Sequence, residues 1–230
     1  MEETSIRLQG NFSRSLYGAV LKSSYDKALE INHKLTDVVL TMTGMSGRKY
    51  RSLINTLIEG IPAPKYLEVG SWAGSTASAV MWKNAVDVVC IDNWSQYGGP
   101  KDAFLQNTAL AANENTRLML IENDFRAVQW AELPKSNVYM FDGPHTEEDQ
   151  YDGVVIAQPA LDDVYILVVD DYNWPTVRNG TLRAINDLRL NVECAIEIRT
   201  TQDDTHPQIA FQANSDWHNG YYIAVIRKAS

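Results

Sequence analysis

The spacing of apolar residues changes once along this chain. Between positions 50 and 58 they fall at Tyr50, Leu53, Ile54, Leu57 and Ile58, which places them on one face of a helix. Gly60 and the following Ile61-Pro62-Ala63-Pro64 supply a stop, and the residues up to Gly60 read as helical and polar-rich. Beyond that point short apolar runs recur, each closing on an acidic residue or a glycine: Lys65 to Gly70, Val86 to Asp92, Arg117 to Glu122, Asn137 to Asp142 and Tyr165 to Asp171. Continuous runs of this kind suit parallel strands covered on both faces. The stretches Ser75 to Lys83, Lys101 to Asn113 and Gln150 to Leu161 are long enough to be crossover helices, so the pattern predicts a parallel α/β sheet with right-handed crossovers.

The tail differs. Val192, Cys194, Ile196 and Ile198 alternate with Glu193, Ala195, Glu197 and Arg199, as in a strand with one wetter face. Tyr221 to Arg227 forms another strand-like run, and the turn-rich Ser215 to Gly220 precedes it. An antiparallel pair closing the sheet edge is expected, with Ile209 to Gln212 open as a further strand.

Composition narrows the partners. The 230 residues are 45% hydrophobic and 21% charged, as in an ordinary globular chain. A formal charge of -9 without any basic run argues against a nucleic-acid surface and favours a small-molecule or neutral glycan partner. Cys90 and Cys194 are too few for a disulfide framework or a zinc site, and both sit in apolar stretches. Met1 to Gly10 lacks the apolar core of a signal peptide and no run approaches a membrane span, so a cytoplasmic location is expected.

Candidate chemistry gathers at the ends of the predicted strands. In Tyr66-Leu67-Glu68-Val69-Gly70-Ser71-Trp72-Ala73-Gly74-Ser75-Thr76, an apolar strand runs into an acid, then a Gly-x-x-x-Gly loop, then a helix start. Gly70 permits a tight turn and close approach of a ligand, and the helix opening after Gly74 can hold a carboxylate. The spacing differs from the Gly-x-Gly-x-x-Gly that admits a pyrophosphate, which weighs against a dinucleotide dehydrogenase. Asp92, closing the second run, is placed to accept hydrogen bonds from ribose hydroxyls; Asp at a strand end is also a common turn residue. Asp124 follows the third run, as an adenine contact or as a helix N-cap. Asp142 and His145 leave the fourth run and Asp170-Asp171 the fifth, in strands expected to be neighbours. Concentrated carboxylates repel one another unless a cation joins them, and hard oxygen donors suit Mg²⁺ better than zinc. The bland readings are a loop histidine at 145 and helix-capping acids at 170 and 171. His33, His206 and His218 lie in polar or turn contexts expected to be surface or structural. Trp72 and Trp174 are placed to line a pocket, and Tyr172 and Asn173 to orient a substrate.

The glycine loop resembles the first motif of class I S-adenosylmethionine-dependent methyltransferases. Asp-x-x-His after the fourth run and Asp-Asp after the fifth are similar to the metal-dependent O-methyltransferases of natural-product sugars, of the macrocin and mycinamicin type; catechol O-methyltransferase is more distant. The resemblance covers roughly Tyr66 to Leu190. It implies a Rossmann-like α/β fold with a mostly parallel seven-stranded sheet, an antiparallel edge hairpin and helices on both faces. Residues 61–230 would be the cofactor-binding domain, and residues 1–60 a helical extension acting as a lid or as a subunit contact in a homo-oligomer. S-adenosylmethionine would be held by Glu68, Gly70, Ser71, Gly74, Ser75, Asp92, Asp124 and Asp142. Asp142, Asp170 and Asp171 would bind Mg²⁺ or a similar cation, with His145 as the base. The implied activity is metal-assisted methyl transfer to a hydroxyl; a metal-free methyltransferase and a non-catalytic cofactor-binding module are the alternatives.

Overall fold

The computed structural model describes residues 4–30, 33–208 and 215–229. Strands and helices alternate as the apolar runs predict: β2 (Lys65–Val69), α4 (Ser75–Met81), β3 (Val86–Asp92), α5 (Lys101–Ala111), β4 (Thr116–Glu122), β5 (Ser136–Phe141), α6 (Glu147–Ile156), β6 (Leu161–Val169), α7 (Pro175–Asp187), β7 (Asn191–Arg199) and β8 (Tyr221–Arg227). Ahead of them stand β1 (Ser5–Gly10), α1 (Leu16–Leu29), the single turn α2 (Asp37–Leu40) and α3 (Arg48–Gly60).

The strands form one eight-stranded sheet in the order β1-β7-β8-β6-β5-β2-β3-β4. From β4 to β6 neighbours are parallel, and β8 runs antiparallel between β6 and β7. Two expectations are corrected here. The start of the chain is not wholly helical, because Ser5–Gly10 pairs antiparallel with β7 and makes an eighth strand. The tail hairpin is not the sheet edge, because β8 is inserted inside it and β1 lies outermost. The alternation of Ile6 and Leu8 with Ser5, Arg7 and Gln9 is a short strand signal, in which Ile6 packs on the core and the other residues stay exposed. Ile209 to Gln212 falls outside the described residues.

Side-chain alternation along the central strands sends Tyr66, Val138, Met140, Ile166 and Val168 to one face, where α1, α3 and α4 pack in a common core. Leu67, Val69, Tyr139, Phe141, Leu167 and Val169 go to the other face, against Phe125, Val177 and Ile185. The helix predicted at 50–58 is α3, and its five apolar positions are fully or almost fully buried. Local signals set the helix starts: the Ser15 side chain accepts the Gly18 N–H ahead of α1, Thr146 caps α6 above three acids in its first turn, and Pro175 opens α7. The chain leaves β2 for β3 and β4, then returns to β5, so the switch in strand order lies between β2 and β5, where open α/β sheets bind ligands.

Candidate active site

At the carboxyl edge of the sheet lies a cavity of about 640 Å³. Its walls follow the strand order: Asp124 and Phe125 after β4, Asp92 at the end of β3, Gly70 after β2, Asp142 and His145 after β5, Asp171 and Trp174 after β6. Four strand spacings of about 4.8 Å make this row roughly 19 Å long, enough for an extended nucleoside–amino-acid ligand with a second molecule beyond it.

The β2 turn is shaped by close approach. Gly70 has φ +87°, and a Cβ there would stand 1.8 Å from the Asp142 carbonyl oxygen, so this turn admits only glycine. Gly74 (φ +78°) precedes α4 and packs on Phe104. Asp92 accepts the backbone N–H groups of Trp72 (2.8 Å) and Trp94 (2.6 Å), tying the β2 and β3 loops into one wall. The two indoles add Trp72 Nε1 to the Tyr97 carbonyl (3.0 Å) and Trp94 Nε1 to the Trp72 carbonyl (2.9 Å). Asp124 both lines the cavity and accepts the Arg126 N–H, so its pocket and capping roles coexist.

Other candidates lie behind this wall. Glu68 is buried, accepts the Tyr66 hydroxyl (2.8 Å) and has the Cys90 thiol at 3.5 Å. Burial raises its pKa against the pull of Ser71 and Tyr66. Ser71 is buried beside it, and the Ser75 hydroxyl sits 3.0 Å from that of Ser46. These three support the loop from below, whereas Gly70, Asp92, Asp124 and Asp142 face the cavity.

At the β5–β6 end, one ligand atom from each of Asp142, His145 and Asp171 lies within 4.8 Å of the others. His145 Nε2 is 2.6 Å from Asp171 Oδ2 and 3.8 Å from Asp142 Oδ1. The short approach pairs the imidazole with the Asp171 carboxylate. Burial would lower the His145 pKa, but the two carboxylates more than reverse this and raise it to about 10. Asp171 is lowered despite burial, chiefly by His145 and also by His218. Asp142 opens a quarter of its side chain to the cavity but sits deep, and burial aided by the Asp171 charge raises it to about 7. Asp170 is buried behind them, its Oδ1 accepting the Asp171 N–H (2.7 Å); burial and the charges of Asp142 and Asp171 push its pKa well up. Two carboxylates thus share one imidazole, with Asp170 behind them. Two carboxylates and an imidazole nitrogen at this spacing are a donor set that fits a divalent cation.

Two expectations about neighbouring residues change. Tyr172 and Asn173 do not face the cavity: Tyr172 stacks on Tyr222 (5.0 Å), and the Asn173 amide binds Thr200 Oγ1 (2.8 Å) and Asn219 Oδ1 (3.0 Å). Conversely, His206 and His218 line it with Trp72 and Trp174. His33 does not line it. Met45, from the segment before α3, joins the wall as well, without any motif to announce it. Among the described residues, no helix is long and apolar enough to cross a membrane.

No protein-family model matches this sequence, and no curated protein matches it either. Solved structures match the fold. A Podospora anserina methyltransferase bound to S-adenosylhomocysteine superposes with a TM-score of 0.54 at 12% identity, covering 92% of this chain and 88% of its own. An RNA methyltransferase candidate from Pyrococcus horikoshii gives 0.52 at 13% identity over 92% of this chain and 100% of its own. TrmN from Thermus thermophilus gives 0.53 at 12% identity over 83% of this chain; here the chain spans 52% of that protein's length. The fold is that of the Rossmann-like class I methyltransferases.

Proposed function

We propose that this chain is an S-adenosylmethionine-dependent O-methyltransferase that methylates a hydroxyl of a small molecule or sugar with the help of Mg²⁺ or a similar cation, in the manner of the macrocin-type enzymes it resembles. One observation carries the reading: a cavity-facing imidazole–carboxylate cluster adjoins a glycine-cornered pocket in a fold shared with cofactor-bound methyltransferases. The acidic chain and the absence of Lys or Arg from the described cavity lining support an acceptor other than nucleic acid. Residues 1–60 serve as a wall or lid over this site or as a subunit contact, and the enzyme works in the cytoplasm.

Asp92 receives the ribose hydroxyls, Asp124 and Phe125 the adenine, and the Gly70–Gly74 loop the amino-acid portion. Asp142 and Asp171, with Asp170 behind, would hold the cation, which would supply Lewis acidity toward the acceptor hydroxyl. His145 is the base. It takes the hydroxyl proton as the acceptor oxygen bonds to the methyl carbon; the S–CH₃ bond breaks, its electron pair stays on sulfur, and the donor leaves as S-adenosylhomocysteine. The chain's remaining contribution is alignment of the reacting atoms about 3–3.5 Å apart.

Titration calorimetry with S-adenosylhomocysteine, with and without EDTA, tests the reading. Saturable binding in both conditions, with methyl transfer lost in EDTA and restored by Mg²⁺, is the expected result. No heat with either donor or product would overturn it. The 2.6 Å His145–Asp171 contact favours one second reading, a metal-free enzyme in which Asp171 alone orients the base. Transfer undiminished in excess chelator selects that version.

A further inference from the structure

We infer that the acceptor occupies a subsite made by Trp174, His206 and His218, and that this subsite takes an uncharged ring bearing hydroxyls and rejects a phosphorylated one. The inference rests on the methyltransferase reading and adds the residues that choose the acceptor.

Four rings run in series past the acid cluster. The His145 ring meets Trp174 edge-on at 4.9 Å, Trp174 lies 6.1 Å from His206, and His206 lies 5.4 Å from His218. Asn219, the residue after His218, donates its side-chain amide to Asp171 Oδ1 at 2.8 Å and so ties the end of this row to the acid cluster. All four rings line the cavity. They stand beyond β5 and β6, at the end of the strand row left over once a nucleoside occupies the β4–β2 portion. An indole face covers the C–H face of a flat ring or a sugar, and imidazoles are both donors and acceptors for its hydroxyls.

The charge of the lining gives the selectivity. Asp92, Asp124, Asp142 and Asp171 face the cavity, and among the described lining residues there is no lysine or arginine. Two guanidinium groups beside the tail loops are used elsewhere: Arg178 Nη2 and Arg199 Nη2 both bind Asp204 Oδ1, at 2.8 and 2.7 Å. With Asn173 bound to the Thr200 amide (2.9 Å) and to Asn219, these contacts anchor the loops that carry His206 and His218. A phosphorylated acceptor therefore finds none of the guanidinium or ammonium donors that phosphate recognition uses.

The test uses the full chain with Mg²⁺ and methyl-labelled S-adenosylmethionine. The acceptor probes are methyl β-D-glucopyranoside and catechol, set against glucose 1-phosphate and UDP-glucose. Transfer to an uncharged probe at least twenty times faster than to either phosphorylated one is expected. Trp174→Ala and His206→Ala should raise the acceptor KM at least tenfold and leave the S-adenosylhomocysteine Kd within twofold. Trp174→Phe, which keeps an aromatic face, should restore most of the loss and shows that the alanine effect is not misfolding. The subsite is overturned if the product still binds but phosphorylated probes react as well, if no uncharged probe reacts, or if the variants weaken product binding as much as acceptor binding. Failure of the wild-type chain to bind S-adenosylhomocysteine overturns the methyltransferase reading itself.

Discussion

His145 and Asp171 meet at 2.6 Å although they leave different strands, and Asp171 reaches that position from a left-handed backbone, φ +56°. Aspartate tolerates this region better than most residues, but strain of this kind persists only where its surroundings hold it. Here Asn219 Nδ2 donates to Asp171 Oδ1 at 2.8 Å and the Asp171 N–H is taken by Asp170. Asn219 thus fixes the carboxylate and Asp170 the backbone from which it faces the imidazole. His145→Gln keeps a polar side chain but removes the base, and it should lower kcat by about 10²–10⁴-fold. Product binding by calorimetry should be unchanged. Loss of product binding in parallel with kcat would show that His145 supports the pocket rather than the proton transfer.

Much of this site is legible in the sequence, for a physical reason. Parallel strands buried on both faces must be apolar until they end, so Asp92, Asp142 and Asp171 announce both a strand terminus and a place on the binding edge. Glu68 carries the same signal but its side chain turns inward to Tyr66, because alternation along β2 decides the face and a strand-end rule does not. His206 and His218 were obscured by their turn-rich setting. The topology contains the clue: β8 runs opposite to β6, with Tyr222 opposite Val169, so the connection from β7 to β8 must emerge at the carboxyl edge. Met45 depends on how the residues before α3 lie across α4, a long-range contact with no local pattern.

The same cluster should make stability fall as pH rises in cation-free protein. Asp142 sits at about 7 against an ordinary 3.8, so its contribution is full below pH 3.8 and lost as pH rises through 7. His145 sits at about 10 against 6.5; its contribution is full below pH 6.5 and lost as pH rises through 10. Asp171, lowered from 3.8, loses its contribution only in acid below that window. Melting temperature measured in EDTA should therefore decline between pH 5 and pH 9, less steeply in Asp142→Asn. Mg²⁺ should stabilise increasingly over the same range, because it replaces protons. A cation effect independent of pH would remove these carboxylates from the cation site.

Two glycines separate backbone strain from steric collision. Gly70 and Gly98 have similar torsions, φ +87° and +80°, but a Cβ at Gly98 meets nothing within 4 Å whereas one at Gly70 lands 1.8 Å from the Asp142 carbonyl. Gly98→Ala should cost only the left-handed term, about 1–2 kcal/mol. Gly70→Ala must also push β2 and β5 apart at the switch point. It should cost roughly 3 kcal/mol or more by chemical denaturation and weaken product binding at least tenfold. Equal effects from the two substitutions would mean that the β2 turn relaxes without disturbing the pocket.

Arg51 shows how the segment before α3 becomes part of the wall. Its fully buried guanidinium donates to the carbonyls of Val39 (2.8 Å), Leu40 (3.2 Å), Met42 (2.8 Å) and Gly44 (3.4 Å), and Nε donates to Ser46 Oγ (2.9 Å). None of the five acceptors is a carboxylate. Burial lowers the pKa to about 10, which still leaves the group charged at neutral pH. Ser46 in turn meets Ser75 at the start of α4, and Met45, the residue before Ser46, faces the cavity. Lysine cannot replace this fork, since three donors on one nitrogen do not span five acceptors. Arg51→Met should leave the loop carbonyls unpaired in the interior and cost about 3 kcal/mol, on the order of 10 °C in melting temperature. Hydrogen exchange should then quicken across residues 39–46 while β2 and β5 stay protected, and product affinity should fall as Met45 loses its place. Uniform loss of protection throughout the sheet would instead make Arg51 a support of the whole core, with no particular hold on the cavity wall.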